Sequence, residues 1–197
     1  MMRQISFEEL VAAEGLVPVY AHNEQSFLSY KEFLSFFKQC EVLGVHHLVI
    51  GAHFTYGWMP TMLDLRFPEK WENAVEVLNK CKRGYFTDVH DLELLKTIIN
   101  NSLVGASKLL HFVNPGLYAI WDSRVYLSIN RKEATDYQIG NPKNYRFYLD
   151  NCFKLVSNAN FSQIHASVNN KVGFPVSALR AIDIILYEAR GQQQAAS

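Results

Sequence analysis

The stretch from Asn100 to Arg131 constrains this chain more than any other, because it forces the backbone through several changes of state in quick succession. Asn101-Ser102-Leu103-Val104-Gly105 supplies turn formers and a glycine, and Ala106 to Val113 has the apolar content of a short helix. Asn114-Pro115-Gly116 must end that helix, since proline lacks a donor and drives its predecessor out of the helical region. Leu117-Tyr118-Ala119-Ile120-Trp121 then reads as an extended apolar crossing that delivers Asp122, followed by Ser123 and Arg124, to another apolar-periodic segment. A carboxylate is thereby set at a helix N-terminus among apolar and aromatic neighbours.

The remaining segments also read as helices. Ser6-Phe7-Glu8-Glu9 matches a capping box and predicts a helix running toward Gly15. Phe27, Leu28, Phe33, Leu34 and Phe37 recur at helical spacing and predict a helix over 26–41. Val42 to Ile50 is apolar without a decisive period, and the Gly and Pro of Tyr56-Gly57-Trp58-Met59-Pro60 predict a loop bearing aromatics. Pro68 opens and Gly84 closes a further helix, and Thr87 or Asp88 caps the next. Glu133 to Lys143 reads as a loop, followed by helices through Tyr145 to Val156, Phe161 to Val168 and Leu179 to Leu186. The fold class is therefore mainly α, a compact helical protein. It is organised as one domain over 1–190, or as two packed helical lobes with a boundary near 84–88, and ends in a flexible tail at 191–197.

Lys and Arg balance Asp and Glu at 19 each, so no global field draws the chain to a polyanion. The balance is uneven along the sequence: residues 1–79 carry 5 basic and 10 acidic side chains, residues 80–197 carry 14 and 9. Cys40, Cys81 and Cys152 lack ligand spacing and read as free thiols of a reducing compartment, with no zinc or iron–sulfur site. His46, His47, His53 and His111 have no metal-spaced partners and read as satisfied histidines. Neither a leader nor a membrane-spanning run is legible, which points to a cytoplasmic protein; no metal or cofactor is expected from the Cys and His spacings.

The order of hairpin turn with Gly, helix, breaker, extended approach, Asp and helix resembles the helix-hairpin-helix DNA glycosylases, a divergent member of which would carry Leu103-Val104-Gly105 as its hairpin and Trp121-Asp122-Ser123-Arg124-Val125 where the family has its valine-aspartate pair. The likeness is best over residues 88–131. It implies a partner in double-stranded DNA with an extruded base, and removal of a damaged or modified base, in repair or against modified bacteriophage DNA. Asp122 would stabilise the oxocarbenium-like state in which the base leaves the sugar. Tyr56, Trp58 and Trp121 would enclose the extruded base, and Val104, Gly105, Ser107, Lys108 and Arg124 would hold backbone phosphate, the first two through amides at a helix N-terminus. Val104 stands where bifunctional members carry their Schiff-base lysine, so the implied activity is monofunctional; Lys108 lies one helical turn further on.

Each of these residues also has a plain structural reading. Asp122 before Ser-Arg-Val is a favoured N-cap, large aromatics beside apolar runs fill cores, and a lysine on a helix usually faces solvent. Two other functions compete. Arg83 and His90 have the loose spacing of HEPN-type ribonucleases, although Gly84 and the cap at Thr87-Asp88 would place them on either side of a helix break. A non-catalytic helical module binding nucleic acid or protein suits the neutral charge.

Overall fold

The computed structural model describes residues 2–21 and 23–189, so the tail expected at 191–197 lies outside the described residues. Among the described residues the protein is helical, with no strand beyond a single antiparallel bridge between Leu65 and Ile99. The helices run α1 (Phe7–Glu14), α2 (Gln25–Gln39), α3 (Val45–Trp58), a 3-10 turn (Pro68–Lys70), α4 (Trp71–Lys82), α5 (Val89–Ile98), α6 (Leu103–Val113), α7 (Ser123–Asn130), α8 (Asp136–Ile139), α9 (Pro142–Val156), α10 (Phe161–Val172) and α11 (Ala178–Glu188). They fall into two compact units: Asn23–Tyr118, and a discontinuous unit of Met1–His22 with Ala119–Ser197. The expected boundary near 84–88 does not coincide with this division. Those residues are the link between α4 and α5, where Gly84 takes a φ of +91°.

The continuous unit is built round α6, which packs against α2, α3, α4 and α5. Leu103, Ala106, Leu109, Leu110, Phe112 and Val113 are all buried, so this helix is apolar on nearly every side. The segment that periodicity leaves unassigned belongs to α3, and Tyr56-Gly57-Trp58 is its last turn, not a loop. Gly57 is exposed and a Cβ there would meet nothing, so only its intrinsic helix cost of about 1 kcal/mol opposes the helix. Pro60 comes after the C-cap Met59 and interrupts no turn. Gly51 lets α3 close on its neighbours: a Cβ there would lie 2.5 Å from Phe37 and 3.0 Å from Leu109.

In the discontinuous unit α11 takes the corresponding place, against α1, α7, α9 and α10. Every residue from Leu179 to Leu186 is buried, Arg180 and Asp183 included. The opening residues are clasped by side chains that satisfy their backbone: Asn151 accepts from the Ile5 amide at 2.8 Å and donates to the Ile5 carbonyl at 3.2 Å. Lys171 on α10 reaches Glu14 of α1 at 2.6 Å. The capping box at Ser6 and Glu9 forms as its sequence predicts. The loop expected at 133–143 holds one more helical turn, α8, because Thr135 and Gln138 make a second capping box.

Candidate functional site

The turn between α5 and α6 needs two left-handed residues, and asparagine supplies both: Asn100 and Asn101 have φ of 55° and 51°. Asn tolerates that conformation better than other side chains. Asn100 is also clamped to the segment 62–64, its Nδ2 donating to the Met62 carbonyl at 2.9 Å and its own amide to the Asp64 carbonyl at 3.1 Å. Ser102 caps α6, accepting from the Gly105 amide at 3.1 Å, so the helix starts at Leu103 and not near Ala106. Gly105 is thus inside the first turn with its amide engaged. A Cβ there would fall 2.6 Å from the Tyr56 hydroxyl, so this glycine makes room for a tyrosine ring.

This packing revises the expected binding residues of the continuous unit. Tyr56 is buried in the core rather than held out on a loop. Ser107 is fully buried, with its hydroxyl donating to the Val104 carbonyl at 2.9 Å, which takes it away from any solvent-borne phosphate. Trp58 is half-buried; its indole donates to the Ser26 carbonyl at 3.1 Å and its ring meets Phe112 edge-on at 5.4 Å. Lys108 lies over that indole, 5.8 Å from the ring centre. Arg83 ends α4 and His90 belongs to the first turn of α5, so the pair shares no helical face. His111 is buried, its Nδ1 2.6 Å from the Tyr118 carbonyl and its Nε2 2.8 Å from the Tyr30 hydroxyl. The carbonyl requires a proton on Nδ1, leaving Nε2 to accept.

The breaker works as its sequence predicts. Asn114 ends α6 and its Nδ2 donates to the Cys81 carbonyl at 2.8 Å. The crossing that follows has no ladder partner: the Leu117 and Tyr118 amides turn back to the Asn114 carbonyl, and the polar backbone beyond them is met by side chains. In the discontinuous unit the Tyr145 hydroxyl donates to the Ala119 carbonyl at 2.9 Å, and Asp183 Oδ2 accepts from the Ile120 amide at 3.2 Å. Trp121 is fully buried, donates to the Ile139 carbonyl at 3.0 Å, and is packed by Tyr148, Tyr126 and Tyr145. It is a core residue and is corrected from its expected place against a base.

Asp122 follows directly and caps α7, with Oδ1 accepting from both the Arg124 and Val125 amides at 3.0 Å. It is half-buried. A carboxylate offers about four lone-pair positions, so the cap does not exhaust its capacity. Arg124 is exposed and places its guanidinium carbon over the Tyr187 ring, 4.3 Å from its centre. Burial raises the Tyr187 phenol, Arg124 pulls it back, and Asp122 pushes it up again, so these three groups share one electrostatic neighbourhood.

Beside them is a group that the sequence reading passed over. Asp183 is 1% exposed, paired with the Arg180 guanidinium as well as the Ile120 amide. Burial pushes its carboxyl up to about 7 against the pull of Arg180 and the amide, and the charge of Asp122 adds to the rise. Tyr148 and Cys152, both buried on α9, are raised by the same burial. The one available signal was Arg180 three residues before Asp183 in an otherwise apolar helix. Among the described residues no three His, Cys, Asp or Glu side chains are gathered to hold a metal, and no helix is long and apolar enough to cross a membrane. Compared with known proteins, the chain matches no family model, no curated protein and no solved structure.

Proposed function

We propose that this protein is a monofunctional DNA glycosylase, with Asp122 as the carboxylate that stabilises the oxocarbenium-like sugar as the base departs. The observation that carries this reading is Asp122 itself: half-buried, delivered by a side-chain-anchored crossing, and fixed by two backbone amides through one oxygen. A negative charge held rigid before the reaction begins costs no reorganisation when positive charge develops on the sugar, and such preorganised groups are the larger part of many rate enhancements. The succession of α5, turn, α6, breaker, crossing, Asp122 and α7 supports the resemblance that suggested the role. Arg124, laid over Tyr187, offers a steadied cation for backbone phosphate near the same carboxylate. DNA with an extruded base is the proposed substrate.

A second reading, a helical module that binds without catalysis, is favoured by one specific observation. The hairpin residues expected to face phosphate are used internally, Gly105 by Tyr56 and Ser107 by the Val104 carbonyl. Both readings are tested by incubating the protein with duplexes bearing a panel of modified bases and revealing abasic sites with alkali. The glycosylase reading expects base release by wild type and a loss on the order of 100-fold or more in Asp122→Asn. Asparagine caps a helix as well as aspartate does, so the loss would not report unfolding. Equal release by both proteins would remove Asp122 from its role, and no binding to any duplex at low salt would favour a module with a protein partner.

A further inference from the structure

Asp183 is a costly way to satisfy one backbone amide. A serine, an asparagine or a carbonyl would accept from Ile120 without burying a charge, whereas a buried ion pair recovers its desolvation only when its geometry and remaining hydrogen bonds are good. The acceptor is also specifically placed, because Ile120 is two residues before Asp122 on a crossing with no ladder to hold it. The charges of Asp183 and Asp122 act on each other.

We propose that Asp183 is the positioning residue of the Asp122 site: its carboxylate, bridging Arg180 and the Ile120 amide, fixes the crossing that presents Asp122 and adds a second negative charge within reach of it. Its part in catalysis rests on the glycosylase reading; its hold on the crossing does not. The arrangement is sensitive to pH, because burial leaves this carboxyl titrating at about 7. Above that value Asp183 is charged, Arg180 is compensated and the crossing is gripped by an ionised acceptor. Below it the ion pair and the second charge are both lost.

Other ionisable groups on the surrounding helices have partners or burial of their own: Glu188 accepts from the Tyr20 hydroxyl, Tyr145 donates to the Ala119 carbonyl, Arg146 pairs with Asp150, and burial raises the Tyr126 phenol. Arg180 is on α11 itself, Asp122 and the Arg124–Tyr187 stack are at the start of α7 and the end of α11, and Tyr148 and Cys152 are on α9. Glu9 and Glu14 of α1 are paired with Arg3 and Arg131 and with Lys171, while His165 of α10 bonds the Val176 carbonyl. Glu8 of α1 interacts with its own cap at Ser6. Tyr148 and Cys152 remain protonated throughout the neutral range, so neither produces a step there.

The test follows the Ile120 amide and the Asp122 carboxyl carbon by NMR on the isotope-labelled full chain from pH 5 to 9. In wild type both resonances should show a step near pH 7, and in Asp183→Asn, which keeps an oxygen to accept from Ile120, both steps should vanish. If that variant does not give a folded spectrum because Arg180 is left uncompensated, Arg180→Met with Asp183→Asn serves in its place. A flat Ile120 amide in wild type, or an Asp122 step that survives in the variant, overturns the proposal. Base release supplies the second arm: kcat should rise several-fold through the same step in wild type and lose that step in the variant, with KM changed less than twofold. Steps in the spectrum without base release from any duplex would sink the glycosylase reading and leave the coupling intact. Base release without the steps would do the reverse.

Discussion

At Gly105 the fold uses an absent side chain. A Cβ would meet the Tyr56 hydroxyl at 2.6 Å and its ring carbons at 2.8 and 3.0 Å, and a buried aromatic ring has no flexible end to yield. Gly105→Ala should therefore cost about 1–3 kcal/mol as an overpacked core, measured by urea unfolding, with part recovered when Tyr56→Leu is added. Asp122 invites the opposite comparison. Asp122→Ala should lose about 1 kcal/mol of cap stability in the same assay while Asp122→Asn stays close to wild type. Asp183 gives a pH-dependent expectation. Its folded carboxyl titrates at about 7 against an ordinary 3.8, so the folded state binds more protons across that window and stability falls as pH rises through it. Thermal unfolding of Asp183→Asn should lack that fall. Asp122 was legible because a cap is a local event among a few neighbours. Asp183 was not, since an aspartate in a helix reads as solvent-facing until other helices close round it.

Element by element, what could be read depended on whether a helix announces its own ends. The box at Ser6, the cap at Asp88, Gly84 past α4 and the breaker after α6 are chemical signals within a turn of the boundary, and each fell where the residues put it. α3 lacks such a signal: its N-cap is Gly44, and its apolar residues show no face because Ile50 is exposed while Gly51 and Thr55 lie on the buried side. The loop reading of Tyr56 to Pro60 failed there. His47 closes the start of α3 by accepting from the Gly44 amide through Nδ1 at 2.9 Å, which a protonated ring cannot do. Burial lowers the His47 pKa, with His46 and Lys82 pushing the same way, so its folded value is below the ordinary 6.5. The stability it lends is present above 6.5 and lost as pH falls through the lower folded value. Replacing it by glutamine should flatten the acid side of the unfolding midpoint against pH, and an unchanged profile would exclude this cap as the cause.

For the whole molecule, the charge asymmetry along the sequence dissolves in the fold. Regrouped by unit, Asn23–Tyr118 carries 10 acidic and 9 basic side chains and the discontinuous unit 9 and 10, so neither is a basic body. Any grip on DNA must come from a few placed cations such as Arg124 and not from a general field. The salt dependence of binding should accordingly be shallow, and Arg124→Gln should reduce the slope of log K against log salt by about 0.9, the value for one phosphate contact, as read by fluorescence anisotropy. The discontinuous unit also sets an order of events during synthesis. Residues 23–118 form a compact unit from one continuous stretch, while α1, already made, packs chiefly against α11 and to a lesser extent against α10, both translated much later. α1 is thus made well before the helices it packs against, and a nascent chain stalled before residue 178 would hold one compact unit and a scaffold still waiting for its axle.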